Sequence, residues 1–130
     1  LRSNAEKHGI TITVDTKTAV INGNRNQIYE LIYNLCDNAI RYNRENGSVK
    51  IITGDDNEHP FVKVADTGIG IPEKHHKRMF ERFYRVDKSR SKETGGTGLG
   101  LAIVKHITER HGGEIFLESS EQGTTFTARF

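Results

Sequence analysis

The sequence predicts an α+β domain in which a sheet packs against helices. Short segments near both ends of the chain alternate apolar and polar residues, the pattern of strands that bury one face. Two longer segments repeat apolar residues every three or four positions, the pattern of amphipathic helices. The resulting order, β-β-α-β-β-loop-α-β-β, indicates a sheet layer and a helix layer.

Length and composition predict one globular domain. A chain of 130 residues can bury a core without disulfides, and its single cysteine, Cys36, cannot form an intrachain bridge. No stretch is apolar enough to span a bilayer or to act as a signal peptide, so we expect a cytoplasmic domain. The net charge of +2 is too small to favour nucleic acid as a partner.

Charge is uneven along the chain. Between Lys74 and Lys92 there are eight lysines and arginines and two acidic residues, so the rest of the chain is slightly acidic. A locally cationic segment suits an anionic ligand, and a solvated basic loop is the alternative that composition leaves open.

The first residues predict the end of an earlier element followed by two strands. Residues 1–9 are too few to pack alone, and we interpret them as a linker or helix end from a preceding domain, with the domain itself at 10–130. Residues 10–14 alternate isoleucine or valine with threonine, and Ala19 and Ile21 alternate with polar neighbours. These two segments predict a hairpin.

The most regular pattern is that of a helix beginning after Asn24, which with Gln27 resembles a capping box. Within it Asn34 and Asn38 are four residues apart, so both carboxamides lie on one face, at the edge of the apolar stripe. Two neutral oxygens placed there can converge on one hard cation or one polyphosphate. The stripe comprises Ile28, Leu31, Ile32, Leu35, Cys36, Ala39 and Ile40, and Asp37 and Arg41 are expected nearer solvent.

The middle of the chain predicts a second pair of strands. Residues 48–53 and 61–65 have strand composition around a turn at 54–60, and a glycine-punctuated turn follows at 66–72.

A short helix with Met79, Phe80 and Phe83 is predicted next, and the two phenylalanines, three residues apart, are expected to anchor the core. The basic segment at 85–96 has no periodicity and predicts a mobile loop. The last elements predicted are a helix at 99–111 with Gly112 as its C′ residue, and a hairpin of strands at 114–118 and 124–130.

Two glycine clusters, at 66–70 (DTGIG) and 96–100 (GTGLG), have the composition of phosphate-binding loops. Glycine lets backbone N–H groups approach a ligand, and N–H groups at a helix N-terminus bind anions. A tight turn is the alternative for each cluster taken alone. A Rossmann fingerprint would need glycine at Glu73 or Leu101, and a P-loop would need lysine at Leu101. The H-R-D loop of eukaryotic protein kinases is also absent from the sequence.

In order and spacing these segments resemble the GHKL ATP-binding superfamily, and within it the catalytic ATP-binding domain of bacterial sensor histidine kinases. The resemblance covers nearly the whole chain. The family's N box is similar to residues 34–42 (NLCDNAIRY), its G1 box to 66–70, its F box to 80–83 (FERF), its G2 box to 96–100 and its closing hairpin to 114–126.

The resemblance implies the Bergerat fold, a two-layer α/β sandwich with a mixed, mostly antiparallel sheet of about five strands on about three helices. Residues 85–96 would form a mobile ATP lid. The implied cofactors are ATP and Mg²⁺. The implied partners are the protein's own dimerisation and phosphoacceptor domain, of which residues 1–9 would be a residual linker, and a response regulator. The domain alone is expected to be a monomer without nucleic acid, and the full-length protein a membrane sensor anchored through its other domains.

The resemblance also assigns roles to residues. Asn38 is implied as the Mg²⁺ ligand, with Asn34 supporting the ion or the phosphates, and with Arg85 these form the implied catalytic set. Asp66 would accept a hydrogen bond from the adenine amine, and Tyr42 can stack on the ring. Further contacts with the base are implied for Gly68, Gly70 and, directly or through water, Thr124. Arg41 and Arg85 are implied at the phosphates, with Lys88 and Arg90 as secondary candidates. The remaining nucleotide-binding residues are Ile71, which follows the G1 box, and those of the G2 box: Gly96, Thr97, Gly98, Leu99 and Gly100.

Asn34 separates phosphoryl transfer from hydrolysis. GHKL hydrolases carry a glutamate at this place of the N box, and an asparagine cannot act as a general base near neutral pH. The asparagine therefore favours a histidine kinase over a hydrolase. We expect the phosphoacceptor histidine to lie on another domain, because no histidine of this sequence has the family's acceptor context. An ATPase of this superfamily, an anti-sigma-type serine kinase and a non-catalytic nucleotide-binding module remain alternatives.

Overall fold

The computed structural model describes residues 2–16, 23–84 and 99–130. The helices are α1 (Arg2–Lys7), α2 (Arg25–Arg41) and α3 (Gly100–Arg110), and the strands are β1 (Thr11–Thr16), β2 (Ser48–Asp56), β3 (His59–Asp66), β4 (Glu114–Ser120) and β5 (Gly123–Arg129). The predicted strand at Ala19 and Ile21, the lid at 85–96 and the candidate site residues Arg85, Lys88, Arg90, Gly96, Thr97 and Gly98 lie outside the described residues.

The strands form one five-stranded sheet in the order β1-β2-β3-β5-β4. β1 and β2 are parallel, with Ile12 opposite Val49, and the other neighbouring pairs are antiparallel. The predicted mixed, mostly antiparallel sheet is thereby confirmed. Within the described part of the chain β1 pairs with β2, and the partner predicted for it in a hairpin falls on residues that are not described.

The turn between β2 and β3 is shorter than predicted. The ladder continues through Asp55 opposite Pro60, and only Asn57 and Glu58 form the turn, with φ of 49° and 69°. Two successive residues in the left-handed region make a tight hairpin turn whose twist matches the strands. The prediction of a long turn at 54–60 was therefore wrong.

Helix α2 begins as predicted. The side chain of Asn24 accepts a hydrogen bond from the backbone N–H of Gln27 at 3.1 Å, which satisfies one of the unpaired donors of the first turn. The buried side chains of α2 are Leu31, Leu35, Cys36, Ala39 and Ile40, all within the predicted stripe. Burial raises the pKa of the Cys36 thiol to about 11, so this cysteine acts as an apolar core residue.

Helices α2 and α3 cover one face of the sheet and enclose the core between the two layers. Val104 and Ile107 of α3 and Phe126 of β5 are among its buried residues. Gly112 follows α3 with φ of 75°, which confirms the predicted C′ glycine. Ala5 of α1 is also buried in this core, so α1 packs on the domain through this residue.

The segment that holds the two F-box phenylalanines differs from its prediction. The short helix is a 3-10 helix at Glu73–Arg78 that ends before both of them. Phe80 packs edge-on against Phe126 with ring centroids 5.9 Å apart, as expected of a core anchor. Phe83 is 62% exposed and has φ of 65°, so the prediction that it anchors the core was wrong.

Candidate nucleotide-binding site

The two asparagines of α2 form the first part of the site. Both side chains are partly buried. The Nδ2 of Asn34 donates to the carbonyl of Glu30 at 2.9 Å, which fixes the orientation of the carboxamide. Its Oδ1 lies beside Gly100, where a Cβ would come within 3.2 Å of that oxygen. Helix α2 therefore contacts α3 at Gly100, the first residue of α3. The absence of a side chain at Gly100 lets the two helices approach each other.

The N-terminus of α3 provides backbone donors next to Asn34. Leu99 is the N-cap residue, and within the described residues no side chain caps the helix there. The first amides of a helix have no intrahelical partner and attract anions. Gly100 and Leu99 are thus placed where the G2 box predicts a phosphate contact, whereas Gly96, Thr97 and Gly98 of the same box are not described.

Asp66, the last residue of β3, is held by two backbone donors. Its Oδ1 accepts from the N–H of Gly68 at 2.8 Å and from the N–H of Thr124 at 3.2 Å. Burial raises the pKa of the carboxyl from 3.8 to about 6, although these two N–H groups act in the opposite direction. Near neutral pH the side chain is therefore a fixed, largely ionised acceptor.

The glycines of the G1 box are required by close contacts within the protein. A Cβ on Gly68 would lie 2.4 Å from the carbonyl oxygen of Tyr42, and one on Gly70 would lie 2.0 Å from that of Ser120. Gly70 also has φ of 78°, a conformation that favours glycine. The loop thus packs against the end of α2 and against the β4–β5 turn, and an approach of these glycines to a base stays a prediction.

Tyr42 and Arg41 lie where α2 ends. Tyr42 is the C-cap residue, and its N–H donates to the carbonyl of Asn38 at 3.2 Å. The Nε of Arg41 donates to Oδ2 of Asp37 at 2.8 Å. Both members of this ion pair are partly buried, with 27% of the Arg41 side chain and 22% of the Asp37 side chain exposed. The predicted contacts of Arg41 with the phosphates and of Tyr42 with the adenine ring stay predictions.

Thr124 is more enclosed than its predicted role suggests. It is 5% exposed, and its hydroxyl shares a hydrogen bond of 2.8 Å with Oγ of Ser119. The same Oγ accepts from the N–H of Ile71 at 2.7 Å. Ser119 thus joins two candidate contact residues, and the sequence analysis missed it because a serine in a polar strand has no distinguishing pattern.

Sequence reasoning also missed Asn43 and Arg44 and gave no role to Thr67 of the G1 box. These three residues join the end of α2 to the loop at 66–70 through side-chain hydrogen bonds. Asn43 and Arg44 directly follow the N box, so proximity to it was the one available signal. Among the described residues there is no cluster of three or more histidine, cysteine, aspartate or glutamate side chains that could hold a metal.

Comparison with known proteins agrees with this geometry. Residues 23–130 match the family model described as histidine kinase-, DNA gyrase B- and HSP90-like ATPase. The chain belongs to this family. Its match to the sensor histidine kinase YkoH of Bacillus subtilis is 42% identical over 122 residues, which is 93% of this chain and 26% of YkoH.

Solved structures place this ATPase-family domain among sensor kinases as well. The mycobacterial sensor histidine kinase MprB superposes with a TM-score of 0.84 and 27% identity, covering 99% of this chain and 86% of that one. The histidine kinase ThkA, solved in complex with the response regulator protein TrrA, gives 0.78 and 28% identity over 99% of this chain and 36% of ThkA.

These matches confirm the α+β fold and the predicted type, the ATP-binding domain of a sensor histidine kinase. The domain spans about a quarter of the length of YkoH. In the described residues no helix is long and apolar enough to cross a membrane.

Proposed function

We propose that this domain binds Mg²⁺ and ATP and transfers the γ-phosphoryl group to a histidine of a separate dimerisation domain. In that reaction the bond from the γ-phosphorus to the bridging oxygen breaks and ADP leaves. A bond forms from phosphorus to the unprotonated imidazole nitrogen, and the proton on the other ring nitrogen is released to solvent. The proposal rests on the position of Asn34, whose carboxamide is held beside the N-terminus of α3. GHKL hydrolases have a carboxylate at this place.

The base end of the nucleotide is assigned to Asp66. Its carboxylate is fixed by two N–H groups on Oδ1, which leaves Oδ2 as an acceptor for the amino group of adenine. A hydrogen bond to an ionised acceptor is stronger than one between neutral groups, so this contact can select the base. Tyr42 is proposed to stack on the ring, and Thr124 is proposed to act mainly by holding Asp66 through its backbone.

The chemistry of the donor set fits a magnesium triphosphate. Mg²⁺ takes oxygen ligands and keeps waters and phosphate oxygens, so one or two carboxamides suffice on the protein side. Asn38, supported by Asn34, would hold the ion, and the first amides of α3 with Arg41 and Arg85 would hold the phosphates. When bound, Mg²⁺ neutralises phosphate charge during transfer.

The absence of a carboxylate at Asn34 favours transfer over hydrolysis. Phosphoryl transfer needs positioning and charge neutralisation, and the nucleophile can come from another domain. Hydrolysis needs a group that orients and deprotonates water, and a carboxamide cannot accept that proton near neutral pH. A GHKL-type ATPase is therefore the weaker candidate, followed by a serine kinase and a non-catalytic module.

The partners that follow are the phosphoacceptor domain of the same protein and a response regulator that receives the phosphoryl group on an aspartate. We place this domain on the cytoplasmic side of a full-length membrane sensor, with membrane contact left to other domains. The relative ThkA is known in complex with a response regulator, which supports this assignment by analogy.

One assay tests the proposal. The domain is mixed with a separately prepared acceptor-histidine domain, MgCl₂ and γ-labelled ATP. We expect acid-labile label on the acceptor and none when the acceptor histidine is replaced by glutamine. Rapid release of free phosphate without labelled protein would identify a hydrolase, acid-stable label would identify a serine kinase, and nucleotide binding with neither product would identify a regulatory module.

A further inference from the structure

The residue after the N box forms a buried junction between α2, β2 and the G1 loop. Asn43 is 6% exposed. Its Nδ2 donates to the carbonyl of Ser48 at 2.8 Å, and its Oδ1 accepts from the N–H of Arg44 at 2.9 Å and from Oγ1 of Thr67 at 3.2 Å. A buried amide with partners on both ends keeps one orientation, because every alternative would leave polar groups unpaired.

Thr67, the neighbour of Asp66, is held at both its backbone and its side chain. Its N–H donates to the carbonyl of Ser48 at 3.1 Å. Its Oγ1 accepts from the N–H of Ser48 at 2.8 Å, so the hydroxyl proton is available for the Oδ1 of Asn43. The residue that follows the candidate base acceptor is thus tied to the end of α2 through a single hydroxyl.

Arg44 adds a second connection across the same junction. Its Nε donates to the carbonyl of Gly68 at 3.4 Å and its Nη2 to the carbonyl of Glu121 at 2.9 Å. These contacts lie in the G1 loop and in the β4–β5 turn. The two N–H groups that orient the Asp66 carboxylate, from Gly68 and Thr124, come from the same loop and from the strand that follows the same turn.

We propose that Asn43, Thr67 and Arg44 are positioning residues that hold Asp66 for the amino group of adenine and thereby set base selectivity. This inference rests on the proposed role of Asp66 in nucleotide binding. A hydrogen bond to a carboxylate weakens steeply with displacement and misalignment. The triphosphate of the nucleotide would be bound by other groups, on α2 and α3. Loss of the contacts of Asn43, Thr67 and Arg44 therefore lowers the contribution of the adenine amino group to the affinity and leaves the contribution of the phosphates unchanged.

The test compares ATP with purine riboside triphosphate, which lacks the 6-amino group. Calorimetric affinities with MgCl₂ are measured for the wild type, Thr67→Val and Thr67→Ser. Valine matches threonine in shape and removes the hydroxyl, whereas serine keeps it. The wild type is expected to prefer ATP by about ten- to a hundredfold, the size of one hydrogen bond to a charged acceptor. The preference should fall to about threefold or less in Thr67→Val and return in Thr67→Ser.

A structural role alone would not change this ratio. An equal loss of affinity for both nucleotides in Thr67→Val, or an unchanged preference, would overturn the inference. If Thr67→Val fails to fold, Arg44→Met decides, because this side chain lies at the surface and its loss removes only the contacts to Gly68 and Glu121. A wild-type domain that binds ATP without preference also overturns the inference, whereas one that binds no ATP contradicts the proposed function itself.

Discussion

The imidazole of His111 connects the cap of α2 to the end of α3. Its Nε2 accepts a hydrogen bond from the backbone N–H of Asn24 at 3.1 Å. Because that nitrogen accepts, the proton lies on Nδ1, which donates to the carbonyl of Ile107 at 2.8 Å. The helix that presents Asn34 is thus held against α3 at this end as well as at Gly100.

Replacement of His111 by alanine should destabilise the domain. The change removes both hydrogen bonds and the edge contact with Phe130, whose ring centroid lies 6.1 Å away. We expect a loss of about 1–2 kcal/mol in the free energy of unfolding, measured by urea denaturation. His106→Ala, at an exposed site of the same helix, is the matched control. Equal stability of the two variants would show that the connection contributes nothing.

Stability should depend on pH through Asp66. Burial raises the pKa of this carboxyl to about 6 in the folded domain, so the folded state holds the proton more tightly than the unfolded chain. The stabilisation that this tighter proton binding provides is complete below the pKa of the carboxyl in the unfolded chain. It is lost as pH rises through the pKa of the carboxyl in the folded domain. Relative to the wild type, Asp66→Asn should therefore gain stability between about pH 4 and about pH 7.

The measurement is a series of urea titrations of wild type and Asp66→Asn across that range. Asparagine keeps an oxygen for the N–H groups of Gly68 and Thr124, so the two proteins differ mainly in the charge. Asp55→Asn, at an exposed position of β2, is the control and should follow the wild type. Parallel curves for the wild type and Asp66→Asn would refute the raised pKa.

The two F-box phenylalanines should differ in their energetic contribution. Phe80→Ala removes a ring packed on Phe126 and should cost about 2–3 kcal/mol of unfolding free energy. Phe83→Ala changes an exposed side chain and should stay within about 0.5 kcal/mol. Phe83→Gly should be more stable than Phe83→Ala, because glycine adopts φ of 65° without strain. Similar losses for Phe80→Ala and Phe83→Ala would contradict the observed packing.

The parts of this fold that could be predicted are those specified by local pattern. The stripe of α2 and its Asn24 cap, the C′ glycine at Gly112 and the closing hairpin each depend on residues within one turn or one strand pair. The bounds of the β2–β3 turn could not be predicted, because the polar residues of 54–60 are compatible with a loop or a ladder and cross-strand pairing decides between them.

The candidate site divides in the same way. Asn34, Asn38 and Asp66 belong to the segments that resemble the family's N and G1 boxes, and the roles that the resemblance implies for them stay predictions. The hydrogen bonds that hold Asp66 in place could not be predicted, since Thr67 reaches Asn43 across 24 positions and Arg44 reaches Glu121 across 77.

Asn38 provides a direct test of the metal assignment. Asn38→Ala removes a carboxamide oxygen from the partly buried ridge, so ATP affinity in MgCl₂ should fall by about tenfold or more. In EDTA the variant and the wild type should bind ATP equally, because the ion is then absent from both. Tyr33→Ala, at an exposed position of the same helix, is the control for damage to α2. A loss of the same size with and without Mg²⁺ would assign Asn38 to the nucleotide rather than to the ion.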